Sequence, residues 1–139
     1  MSAPTKLLKS VPIFSDLGDS ELERIARSFR DRTFAAGQEV VTEGRGGVGF
    51  FVIEDGEAAV TVHGDERRSM GPGDYFGEVA LIDEGPRTAT ITAKTDLKCW
   101  GLTPWDFRPL VETHADIAWR LLQAFAHRLR ELEARHDPR

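Results

Sequence analysis

The chain is short of the residues that most often announce a site. It has one cysteine in 139 residues, Cys99. A lone thiol can form neither an intramolecular disulfide nor a thiolate metal cluster, and it fits a reducing, cytoplasmic compartment. The four histidines, His63, His114, His127 and His136, are scattered. No His-x-His pair with a following glutamate exists, so no metal site is expected. No order of Ser, His and Asp or of Cys and His marks a nucleophile. No apolar run reaches membrane-spanning length, and MSAPTKLLKSVPIF at the N-terminus lacks the apolar region of a signal peptide. Positive charge is short as well. Lys and Arg number 18 against 23 Asp and Glu, a net charge of −5. A general nucleic-acid binder gains its affinity from many cationic contacts to phosphate, so that class is excluded. One small phosphate ligand is not, because it needs only a local positive site. These absences leave no catalytic residue, no metal and no cofactor to nominate.

What is present describes a folded domain. Hydrophobic residues make up 40% and charged residues 29%, which argues against disorder, and residues 1–139 fit one domain. Three zones follow one another. Residues 11–31 read as helical: Ser20 and Glu23 have capping-box spacing, and Leu22, Ile25, Ala26 and Phe29 recur at helical intervals. Residues 33–102 hold short β-branched or aromatic runs, namely Val40-Val41, Phe50 to Ile53, Ala58 to Val62, Ala89 to Thr92 and Leu97 to Leu102. Glycine-rich turns separate them, a pattern of antiparallel sheets. Residues 103–136 read as two helices. Thr103-Pro104-Trp105-Asp106 opens the first with an N-cap, a first-turn proline and an acid, and Pro109 should shorten or kink it. Thr113 to Asp116 repeats the cap logic. Ala118, Leu121, Leu122, Phe125, Leu129 and Leu132 then form one apolar stripe. Trp100, Trp105 and Trp119 read as core or helix-packing residues, and Cys99 as a buried, inert thiol.

The chemistry sits in Phe76-Gly77-Glu78-Val79-Ala80-Leu81, followed by Arg87-Thr88-Ala89. Gly77 permits close backbone approach. Val79 to Leu81 can make one turn of helix, whose free N–H groups suit an anion. Glu78 at its start can accept hydrogen bonds from a hydroxyl. Arg87, just before a strand, can hold an anion bidentately. An acid and an arginine in one small cradle suit a ligand with a sugar hydroxyl and a phosphate. The plainer reading is a Glu78–Arg87 surface ion pair between two ordinary glycine turns.

This segment resembles the phosphate-binding cassette of cyclic nucleotide-binding domains. That family includes the regulatory subunits of cAMP-dependent kinase, catabolite-activator-type regulators and nucleotide-gated channels. Its pattern is an apolar residue, Gly, Glu, any residue, a small and an apolar residue, then Arg, a small or hydroxyl residue and Ala. The likeness extends from about Val11 to Glu133. It implies a mainly β fold, an eight-stranded antiparallel jelly-roll barrel with an N-terminal helix and two C-terminal helices. It implies that Glu78 binds the ribose 2′-hydroxyl and Arg87 the exocyclic phosphate oxygens. Backbone N–H groups of Ala80 and Thr88 would complete the phosphate site. Gly77 would lie against the ribose, with Ala89 closing the motif, and Val60, Val62 and Val79 would face the base. It further implies that ligand binding shifts the C-terminal helices.

One departure stands out. Where the family often has an acid that orients the arginine, this chain reads Gly46-Gly47-Val48-Gly49 after Arg45, so Glu43 or Glu84 would have to substitute. Thr88 is compatible with cGMP, whose guanine amino group it can meet, and with cAMP. The bacterial character of the chain favours cAMP. Arg128 and Arg130 are read as a solvated helix face rather than as lid contacts. The expected function is a cytoplasmic sensor of cAMP or cGMP that acts through an unidentified effector protein or as a homodimer. It binds no nucleic acid and spans no membrane. The alternatives are a structural or interaction domain with a degenerate pocket, and the receptor part of a transcription regulator. Nothing follows Arg139 in the sequence as given, so no DNA-reading element is expected.

Overall fold

A computed structural model describes residues 2–44, 49–83, 85 and 87–136. Two short helices come first, α1 (Thr5–Lys9) and α2 (Asp19–Ser28), with a 3-10 turn at Pro12–Phe14 between them. Eight strands follow: β1 (Arg30–Phe34), β2 (Glu39–Val41), β3 (Phe50–Asp55), β4 (Ala58–Val62), β5 (Asp65–Met70), β6 (Tyr75–Phe76), β7 (Thr90–Ala93) and β8 (Leu97–Leu102). A 3-10 turn at Val79–Leu81 lies between β6 and β7, and α3 (Pro104–Thr113) and α4 (Ala115–His136) end the chain. The expected class, antiparallel β with flanking helices, is the one adopted. The strands form two four-stranded sheets, β1-β8-β3-β6 and β2-β7-β4-β5. Among the described residues no ladder joins the two into a closed barrel.

The run Phe50-Phe51-Val52-Ile53 explains how the layers stack. Successive strand residues face opposite sides, and all four are buried. Phe50 and Val52, with Trp100 and Leu102 of β8, face the helices. Phe51 and Ile53, with Leu97 and Cys99, face the second sheet and its Ala58, Val60, Ile91 and Ala93. The first sheet is therefore apolar on both faces, and its central strands read as continuous hydrophobic runs rather than alternations. On the helix side, Phe14, Phe29 and Phe50 meet edge to face with centroids 5.8–6.2 Å apart.

Several local expectations are corrected. The N-cap of α2 is Gly18, not Ser20, and Glu21 rather than Glu23 reaches back, its Oε1 accepting from Gly18 N at 2.9 Å. Helix α2 stops at Ser28 because Phe29 turns to extended backbone to bury its ring, so β1 begins at Arg30 inside the segment read as helical. Thr103 caps α3 as expected, its Oγ1 accepting from Asp106 N at 3.2 Å. Pro109 lies inside α3, which continues past it to Thr113. Thr113 caps nothing: its hydroxyl donates back to Pro109 O at 2.8 Å, and His114 O accepts the first bond of α4, from Ala118 N. Trp105 and Trp119 are both 63% exposed, and of the three tryptophans only Trp100 is core. The stripe on α4 is also split. Leu121 is buried with Ile117, whereas Leu122, Leu129 and Leu132 face outward.

Two measurements check this packing. Phe50→Ala is expected to lower the free energy of unfolding by about 3–5 kcal/mol in urea titration. A loss under about 1 kcal/mol would mean the aromatic cluster closes over the gap. Burial pushes the Cys99 thiol up to about 12, so at neutral pH it is protonated and shielded. A thiol-specific chromogenic reagent should label Cys99 only after unfolding, and rapid labelling of the native chain would contradict its placement.

Candidate functional site

The segment after β6 makes a tight bend that only glycine accommodates. Gly77 has φ +88°, and a Cβ there would sit 2.5 Å from Arg87 Nη1 and 2.6 Å from Gly49 O. Gly49 is likewise at φ +94°, pressed against the backbone of Leu102. Two glycines thus let the end of β6 and the start of β3 close around one side chain, that of Arg87. Its Nη2 donates to Gly49 O at 2.6 Å. Its Nε is buried and has no hydrogen-bond partner among the described residues. Burial holds the Arg87 pKa below the usual guanidinium value, a direction that reflects the cost of a buried charge. The backbone is pinned too, Arg87 O accepting from Gly44 N at 2.8 Å.

Glu78 follows Gly77 and opens the turn Val79–Leu81. It does not pair with Arg87. Arg128 of α4 donates from Nη1 to Glu78 Oε1 at 2.6 Å, and the same nitrogen lies 3.4 Å from the Tyr75 hydroxyl. The Arg128 guanidinium carbon stands 6.0 Å from the centre of the Tyr75 ring. The Glu78 side chain is 13% exposed, so the pair is shielded enough to matter more than a surface ion pair. Arg128 was read from sequence as solvated, and the structure overturns that. No local signal could have found the contact, because the partners are 50 residues apart.

Both charges line one cavity of about 740 Å³, within the range of small-ligand sites. Of the residues singled out by sequence, Gly77, Glu78, Val79, Ala80, Arg87, Thr88, Ala89 and Val60 all border it. Val62 does not, and is half-buried further along β4. The Ala80 N–H expected to face phosphate donates to Gly77 O at 3.0 Å. Val41, Ile91 and Arg68 also border the cavity and were not singled out. Glu43, offered as a partner for Arg87, is occupied elsewhere, accepting from His63 N at 2.9 Å. Arg45, Gly46, Gly47, Val48 and Glu84 lie outside the described residues. No group of three or more metal-binding side chains occurs among the described residues.

The fit around Gly77 gives a direct test. Gly77→Ala should destabilise the chain by about 1–3 kcal/mol. Gly71→Ala is the control, because a Cβ there meets nothing within 4 Å. Equal melting shifts for the two variants would contradict the close approach of Gly77 to Arg87.

With the geometry in hand, comparison with known proteins is informative. The family model of the cyclic nucleotide-binding domain matches residues 31–114. A cAMP-dependent protein kinase regulatory subunit from Yarrowia lipolytica is 47% identical over 93 residues, 66% of this chain but 25% of the yeast protein. The N-terminal domain of a transcriptional regulator from Streptomyces coelicolor A3(2) superposes with a TM-score of 0.83 at 33% identity, covering 91% of this chain and 94% of that one. The Thermus thermophilus catabolite activator protein superposes at 0.73 with 29% identity, covering 91% of this chain and 62% of that one. The chain therefore spans a quarter of its kinase-subunit relative. A match over more than half of its length, a range that includes Glu78 and Arg87, establishes that this chain belongs to the cyclic nucleotide-binding domain family.

Proposed function

We propose that this chain is a non-catalytic receptor module for a purine 3′,5′-cyclic nucleotide, cAMP or cGMP. The observation that carries the reading is one cavity bordered by an acid and an arginine that are not spent on each other. Arg87 offers a guanidinium whose only acceptor among the described residues is a backbone carbonyl, while its Nε is buried unpaired. An anionic phosphate supplies what that group lacks, since a buried charge without a counter-charge is costly. Glu78 keeps acceptor capacity beyond the bond from Arg128, because an ionised carboxylate offers about four lone-pair sites. A ribose hydroxyl can take one of them. Val41, Val60 and Ile91 give the base an apolar wall.

Helix α4 is the output. It reaches the cavity through Arg128 and is tied to the N-terminal segment through Arg120, which meets Glu21 at 3.2 Å and Asp16 O at 2.9 Å. A ligand that favours one arrangement of Glu78 biases the position of α4, by no more than its difference in affinity for the two positions. The shift is passed to a partner protein or to a second copy of the chain.

Calorimetric titration with cAMP and cGMP tests this. At least one should bind saturably, and Arg87→Ala should weaken it by about 2–5 kcal/mol. A folded chain that gives no heat with either nucleotide would favour a structural domain with a degenerate pocket.

A further inference from the structure

Two side chains outside the cavity are joined to each other beside it, those of Glu43 and His63. His63 closes the hairpin of β4 and β5. Val62 pairs with Asp65, so His63 and Gly64 form a two-residue turn. A turn of this length with positive φ at both positions matches the twist of the strands it joins. Gly64 has φ +83°, and His63, at +52°, is the one non-glycine at positive φ among the described residues. Histidine is enriched in that conformation. The His63 N–H lies outside the ladder and donates to Glu43 Oε1 at 2.9 Å. The ring follows, Nδ1 lying 3.1 Å from Glu43 Oε2. One carboxylate thus holds the turn by its backbone with one oxygen and by its imidazole with the other.

Glu43 stands in the loop that holds Arg87, which leaves β2 at Val41 and enters β3 at Phe50. Glu43 N donates to Thr90 Oγ1 at 2.9 Å, and Gly44 N donates to Arg87 O at 2.8 Å. At the far end of the same loop Gly49 O accepts from Arg87 Nη2 at 2.6 Å. Strand order explains the crossing. β2 and β4 flank β7 on its two sides, and Arg87-Thr88-Ala89 leads into β7 at Thr90. Glu43 follows β2 and His63 follows β4, so their contact spans the end of β7 that the cassette enters. Neither side chain borders the cavity, so an effect on a ligand must pass through the loop to Arg87.

We propose that Glu43 and His63 are positioning residues that strap the Arg87 loop to the β4–β5 turn, and that charging His63 tightens the hold on a cyclic nucleotide. The proposal rests on the cyclic-nucleotide reading of the cavity. A guanidinium held in place binds phosphate without the cost of ordering the loop around it. With the imidazole charged, Glu43 meets a full counter-charge beside the backbone dipole, and with it neutral only dipoles. The His63 side chain is 82% exposed and that of Glu43 25%, so the gain is that of a largely solvated pair. On the neighbouring elements, Glu39 of β2 accepts from Thr42 at 2.8 Å, and Glu66 of β5 is held by Lys94 at 3.1 Å. Asp65 opens β5, with Arg67 and Arg68 further along it, and β7 brings the uncharged Thr90.

The test is titration of the intact chain with cAMP and cGMP from about pH 8 to about pH 5, the span over which an imidazole gains its charge. The contribution is present where His63 is charged and fades as pH rises. Wild-type affinity should therefore increase by about 2- to 5-fold toward the acid end. His63→Asn keeps a residue suited to the left-handed turn and its N–H, but removes the titrating ring. It should lose that increase and bind at the level wild type shows at high pH. The difference between the two profiles separates His63 from His114, His127 and His136. Glu43→Ala should weaken binding by about 3- to 10-fold at every pH. Glu43→Gln, which still accepts from His63 N, should restore the high-pH affinity without the acid increase. Identical profiles for wild type and His63→Asn overturn the proposal and leave the receptor reading standing. So does a folded Glu43→Ala variant that binds as wild type does. A folded wild-type chain that binds neither nucleotide overturns the receptor reading itself, and this proposal with it.

Discussion

Arg87 carries a positive charge into the protein and meets there a carbonyl, that of Gly49 at 2.6 Å, instead of a carboxylate. Much of the surrounding architecture follows from that contact. The carbonyl is available only because Gly49 adopts a positive φ against the backbone of Leu102. The guanidinium fits only because Gly77 has no Cβ. A backbone dipole stabilises a cation less than a full counter-charge does, which leaves the group under-compensated and its pKa pulled down by burial. The scaffold accepts this because β3 and β8 are buried on both faces and bring ample apolar area to the fold. Stability is drawn from the Phe14–Phe29–Phe50 side and from the inter-sheet core, and the under-compensated charge of the cradle is tolerated between them.

How legible this was depends on how each feature is encoded. The cassette stood out because its glycines and charges have few conformational substitutes, and the structure brings almost all of it to one cavity. Strands with a buried face on each side, such as Phe50 to Ile53 and Leu97 to Leu102, announced themselves as apolar runs. Strands β1, β5 and β6 did not. In Arg30–Phe34 only Phe34 is buried, and in Asp65–Met70 only Met70, so neither shows the alternation that marks a strand. Their pairing partners, not their own side chains, make them strands. Cap assignments failed by two residues at α2 because several acids and hydroxyls crowd the same turn. Arg128 was out of reach for a deeper reason. It matters through what folding places beside it, Glu78, which lies 50 residues away in sequence.

The two charged anchors also differ in what holds them. Arg87 is fixed by the backbone of Gly49, just ahead of β3, a central strand of the first sheet. Glu78 is fixed by α4, a helix that meets the rest of the fold mainly near its own beginning, through Ile117, Leu121 and Arg120. An anion that touched only Arg87 would bind the sheet side of the cavity and leave the helix where it was. A ligand with a hydroxyl to share with Glu78 touches both parts at once.

Electrostatics tightens that link. A carboxylate near a bound phosphate repels it, and in a partly buried cavity water screens the repulsion poorly. Arg128 offsets the charge of Glu78 while leaving acceptor sites on it free. With Glu78 offset, the charge of Arg87 faces the ligand without a carboxylate of its own, which suits one phosphate. If α4 withdraws, Arg128 leaves with it, Glu78 regains its full negative potential, and the same cavity becomes less hospitable to an anion. In the proposed reading the position of α4 and the affinity for nucleotide are two readings of one balance of charge. Each must respond to the other by the same free energy, as linkage requires of any two coupled equilibria.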